Sequence, residues 1–232
     1  MRALLLSLAL LLTTALAPAQ AQRVLPGLTD GVQYRYVDNG QPYRPLPPGM
    51  VEVAEVFAYT CPHCAHFSPM LEAWAKQLPA HARLVLVPGV YDRDDPWPRV
   101  FFAAQAAKSL PVLHPRLFAA IHETGELPRN ADAAQILAFA SRVQGSNATA
   151  LKIAMANDAK LLPQLKQAYE FGARSQIDGT PSLIVAGRYV ILGNSYESLL
   201  GNARAVVAAL APKQKPKATA RPAPAKPASP RS

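Results

Sequence analysis

The sequence predicts an α/β protein whose sheet-and-helix core is interrupted in the middle by an all-helical insertion. Three observations carry that prediction. Apolar runs at 51–59 and 84–87 are hydrophobic on both faces, as strands covered on both sides must be. A long alanine-rich stretch, 97–175, then shows helical spacing and no strand pattern. Strand patterns return only at 182–185 and 189–192, and one amphipathic helix follows them.

Taken in order, 32–37 alternates polar and apolar residues and reads as an edge strand. A proline-rich connection, 42–48, leads into the strand at 51–59. Phe67, Leu71, Trp74 and Leu78 then form one apolar helical stripe, with Pro69 expected to kink or divide that helix. In the helical stretch Ile136, Ala140 and Val143 share a face, and Pro111, Pro115, Pro128 and Pro163 punctuate the run. Ala186-Gly187-Arg188 is a tight turn between the two returning strands. The last helix has a capping box at Asn194 and Glu197 and a stripe of Leu199, Ala203, Val206 and Leu210. The resulting division is a core at 22–96, the helical insertion at 97–175 and the rest of the core at 176–211.

Half of the 232 residues are apolar, which excludes a disordered chain and is ample for a core. Two cysteines are too few for a disulfide-stapled miniprotein. A net charge of +9 suggests nucleic acid until it is located. Residues 1–21 hold one basic residue, Arg2, and residues 212–232 hold six basic residues, six prolines and no acid. What remains between them is a body of +2, so no nucleic-acid partner is expected. Arg2, the leucine-rich run 3–12 and Ala19-Gln20-Ala21 have the form of a cleavable secretory signal. The run is too short to stay as a spanning helix. The Pro/Ala/Lys tail has no apolar periodicity and is expected to be disordered and solubilising.

Both cysteines lie in Cys61-Pro62-His63-Cys64, after a strand and at the start of a helix. The spacing brings the sulfurs close enough to bridge within one turn. A helix N-terminus favours a thiolate at Cys61, Pro62 suits the first turn, and a protonated His63 would add a nearby cation. A lowered thiol pKa favours the reduced form, making the disulfide easier to reduce and more oxidising. A permanent Cys61–Cys64 bridge would close almost no loop and restrain little. A structural zinc wants four ligands, so the pair would have to recruit His66 with His81, His114 or His122. Redox chemistry is the favoured reading.

The segment from Glu55 to Cys64, EVFAYTCPHC, resembles the active-site segment of the DsbA family of bacterial periplasmic thiol:disulfide oxidoreductases. Gly179-Thr180-Pro181-Ser182, leading into an apolar strand, resembles that family's second signature. The likeness extends over 22–211, insertion included, and leaves out the basic tail. It implies a thioredoxin-like fold, Cys61 as the exposed attacking thiol and Cys64 as its buried partner. It further implies Pro181 as a cis-proline facing the site, with Thr180 touching substrate backbone. Glu55 interrupts an apolar strand, which is costly without a task. By resemblance it is a buried acid that accepts or relays the Cys64 proton.

The resemblance also implies reduced, newly exported proteins as substrates and a DsbB-like membrane quinone oxidoreductase as the reoxidising partner. Periplasmic location, a monomer, and no cofactor or metal complete the expectation. The rivals are a reductase or isomerase on the same fold and a metal-binding envelope protein. The sequon at Asn147 and the aspartates at 92, 94 and 95 read as a chance match and a solvated turn.

Overall fold

The computed structural model describes residues 23–212; the expected signal at 1–21 and the tail beyond 212 lie outside the described residues. The elements run β1 (Tyr34–Tyr36), β2 (Val51–Phe57), α1 (Pro62–Ala75), β3 (Ala82–Pro88), α2 (Pro96–Ala106), α3 (Leu110–His122), α4 (Ala133–Arg142), α5 (Ala148–Met155), α6 (Asp158–Ser175), β4 (Ser182–Val185), β5 (Tyr189–Ile191) and α7 (Tyr196–Ala209). This is the α/β order expected, with five consecutive helices between β3 and β4.

The strands form one mixed sheet in the order β1-β5-β4-β2-β3. Only β2 and β3 are parallel; β2 with β4, β4 with β5, and β1 with β5 are antiparallel. Alternation along the strands sorts the core into two layers. Val51, Val53, Leu183, Val185 and Ile191 pack against Phe67, Leu71 and Trp74 of α1 and Leu200, Ala203, Val206 and Val207 of α7. Ala54, Val56, Ile184 and Val190 join the larger cluster on the other face, with Phe101 of α2 and Ala168 and Phe171 of α6.

Several local expectations are corrected. β1 is only three residues long. β2 ends at Phe57, so Tyr59 lies beyond the strand. The 84–87 run lies in β3, an edge strand with Leu84, Val85 and Leu86 only half-buried. α1 runs unbroken through Pro69, whose ring faces solvent and so disturbs no packing. It ends at Ala75, leaving Leu78 outside the helix but still packed on the core. The capping box of α7 is Ser195 with Ser198, one residue after the predicted pair, and its buried face shifts to Leu200, Ala203, Val206 and Val207. Extended backbone at Ser195 is what a cap needs, and its hydroxyl accepts the Ser198 N–H.

Candidate active site

β2 delivers the chain to the site and α1 begins there. Cys61 is the N-cap residue in extended backbone, and Pro62 takes the first helical position, where it needs no donor. Cys61 is half-buried and Cys64 buried, both as free thiols. Thr180 and Pro181, just before β4, come alongside through the β2–β4 pairing, in which Val56 faces Ser182. The Thr180–Pro181 peptide is cis. The Cys61 thiol donates to the Thr180 carbonyl at 3.2 Å.

The two thiols are tuned apart. Burial alone would raise Cys61, but the Thr180 hydroxyl, the Cys64 N–H and thiol, and the His63 N–H converge on its sulfur and lower its pKa below the ordinary cysteine value. Burial pushes the Cys64 thiol up, and the neighbouring Cys61 and Glu55 add to that. Glu55, 2% exposed in mid-β2, is pushed up to about 8 by burial and by the charges of Cys61 and Glu72. It is therefore mostly a neutral acid at pH 7. The arrangement supplies one thiol suited to leave or attack as thiolate, one suited to hold its proton, and an acid near both.

His63 contributes to Cys61 through its backbone N–H, while its exposed ring pairs with Tyr196, Nδ1 lying 3.2 Å from the hydroxyl. The Tyr196 hydroxyl also donates to the His63 carbonyl at 3.2 Å, and its ring stacks on Phe67 at 5.1 Å. Further aromatic groups lie around the site, among them His114 and His122, which the sequence offered only as candidate zinc ligands. The Tyr59 hydroxyl pairs with His114 Nδ1 at 2.9 Å, and His122 Nε2 donates to the Tyr59 carbonyl at 2.7 Å. Burial lowers His114 to about 4, so it stays neutral and can accept. Tyr91, on the loop after β3, feels the charges of both cysteines. Of these residues only Tyr59 falls in a local motif, the segment from Glu55 to Cys64; the others carry no redox signal in the sequence. Among the described residues no three His, Cys, Asp or Glu side chains converge as metal ligands.

With two thiols one helical turn apart, one lowered and one raised in pKa, the site is suited to thiol–disulfide exchange, and the sheet presenting it is thioredoxin-like. Residues 47–202 match a family model described as thioredoxin. Over 203 residues the chain is 36% identical to the thiol:disulfide interchange protein DsbA of Bordetella parapertussis, spanning 85% of this chain and 90% of that protein. It is 32% identical to that of Burkholderia cepacia, over 78% of this chain and 83% of the relative. The crystal structure of oxidoreductase DsbA from Xylella fastidiosa is similar, at TM-score 0.72 and 31% identity, covering 78% of this chain and 96% of that one. The chain belongs to the DsbA family of thiol:disulfide interchange proteins, and it is a thiol:disulfide oxidoreductase.

Proposed function

We propose that this protein works as an oxidant in the periplasm, exported by the signal at 1–21 and donating its Cys61–Cys64 disulfide to newly exported proteins. The single observation that carries this reading is the opposed tuning of the two thiols at the head of α1. In the forward reaction a client thiolate attacks the Cys61 sulfur and expels the Cys64 thiolate, forming a mixed disulfide. Cys64 takes up a proton, which Glu55, close enough to raise the Cys64 pKa, would give. A second client thiolate then attacks the client sulfur and expels Cys61, which leaves readily because its thiolate is favoured. The client loses two electrons and two thiol protons, and the protein pair gains the electrons as two thiols. Thr180 and Pro181 would hold the client backbone beside Cys61, and His63 and Pro62 would set the opening of α1.

Reoxidation falls to a quinone-linked membrane partner of the DsbB type, and the protein acts as a monomer with its helical insertion at 97–175. The direct test replaces the resolving thiol. A Cys64→Ser variant carrying an activated Cys61 disulfide, offered an unfolded protein with a single reduced cysteine, should accumulate mixed disulfides visible on non-reducing gels. Failure to trap any client would overturn the reading.

A further inference from the structure

We infer that the end of the molecule opposite Cys61, together with the basic segment 213–232 that follows it in the chain, docks on an anionic phospholipid surface. The proposal takes the membrane as partner from the export reading above and does not depend on the direction of exchange.

The topology separates two ends. Tyr196 at the start of α7 bonds to His63 at the start of α1, and Arg204 further along α7 reaches Gln77, just past the end of α1, at 3.4 Å. Both helices therefore run from the active site to the far end of the sheet, each 14 residues and about 20 Å long. The chain leaves α7 at that far end. A Cβ at Gly49, two residues before β2, would lie 3.6 Å from Pro212 Cγ, so Pro212 sits where β2 begins.

Charge divides along the same axis. The loops 89–95 and 176–181 and the first turn of α7 carry Asp92, Asp94, Asp95, Asp178 and Glu197 against one arginine, Arg93. At the far end Lys76, Arg83 and Arg204 are exposed, and none of them joins an ion pair among the described residues. Arg83 stands beside Glu52 in the β2–β3 pairing. The acids here offset little. Glu52 is buried and accepts the Tyr43 and Arg44 N–H groups, and Asp38 is paired with Arg23 at 2.6 Å, which leaves Glu72 on the last turn of α1. Residues 213–232 add six basic residues and no acid.

These charges set the partner's chemistry. A layer of anionic headgroups attracts each Lys or Arg held near it, and a folded basic end beside a basic segment offers many at once. The same layer repels the acidic loops, so the docked molecule turns Cys61 outward. On the export reading nucleic acid is not met, and the segment has no aromatic side chain on which bases could stack. A second copy could lay its acidic loops on the basic end, but that contact is head-to-tail and does not close on itself.

The test uses residues 22–232 and vesicles of phosphatidylglycerol mixed with phosphatidylcholine. The wild type should sediment with these and not with phosphatidylcholine alone, and about 0.5 M salt should release it. Combining Lys213→Gln, Lys215→Gln, Lys217→Gln, Arg221→Gln, Lys226→Gln and Arg231→Gln should lower partitioning at least about a hundredfold. Lys76→Gln, Arg83→Gln and Arg204→Gln together should lower it about tenfold, with peptide oxidation in the absence of vesicles at the wild-type rate. The two tryptophans report orientation. Trp74 lies in the last turn of α1, whereas Trp97 opens α2 with its ring 5.9 Å from that of Tyr59. With a fluorescent lipid as acceptor, Trp97→Phe, which keeps Trp74, should transfer energy efficiently, and Trp74→Phe should not.

Equal binding to neutral vesicles, or binding unchanged by the six tail substitutions, would overturn the proposal. Equal transfer from both tryptophans, or binding unchanged by the three substitutions in the folded end, would overturn docking through that end. Self-association of the wild type at low salt, abolished by those three substitutions, would assign the end to a second copy and overturn the lipid assignment. Client trapping by Cys64→Ser is read without vesicles, so failure there is distinct from failure here.

Discussion

Burial acts on Cys61, Cys64 and Glu55 alike and raises all three; only Cys61 is surrounded by enough donors to reverse it. The identity of these residues was legible because each breaks a pattern, two cysteines in one motif and a carboxylate inside an apolar strand, whereas Pro181 was singled out by the family resemblance alone. Tyr91, Tyr196 and His122 were not legible, because they approach from a loop and two helices distant in sequence and carry no motif. Glu55 gives a prediction with a definite sign. Its folded pKa, about 8, lies above the ordinary 4.5, so its contribution to stability is complete below about pH 4.5 and is lost as pH rises through 8. Glu55→Gln should therefore be more stable than wild type at pH 9, by on the order of a few kcal/mol, with little of the wild-type fall between pH 6 and 9. Urea titrations of the reduced proteins check this; parallel pH profiles would contradict it.

At the scale of elements, spacing located strands and helices well and their ends poorly. The capping box moved by one residue because Ser195, not Asn194, has the extended backbone and the hydroxyl in reach. The proline-rich connection illustrates what spacing cannot show. Its prolines predicted irregular chain, but its Tyr43 and Arg44 N–H groups donate to the Glu52 carboxylate at 2.6 and 2.9 Å. The Tyr43 carbonyl accepts from Gln167 of α6 at 2.7 Å, and its ring meets Phe171 edge-on at 5.4 Å. The connection is thus a strap from β2 to α6, and Glu52, buried in the sheet, is its clasp. Glu52→Ala leaves two donors without that acceptor and should cost about 2–4 kcal/mol. A urea midpoint unchanged from wild type would show the strap to be dispensable.

Across the whole molecule, the five-helix block is more than an appendage to the sheet. Its α3 holds Tyr59 at both ends, through His114 and His122, two residues before Cys61. Its α6 covers the sheet, packing Ala168 and Phe171 into the cluster that holds Val56 and Ile184. That such a block exists was readable from 97–175, whereas its grip on the active-site segment depends on two histidines eight residues apart on one helix, an ordinary spacing in sequence. The donors around Cys61 lower its pKa, and on the proposed reading the reduced pair is the favoured state. Equilibrating the protein with glutathione buffers at pH 7 tests this most directly. The donors around Cys61 predict a reduction potential more oxidising than about −200 mV, whereas a value near about −270 mV, as in thioredoxin, would contradict the account and make the protein a reductant.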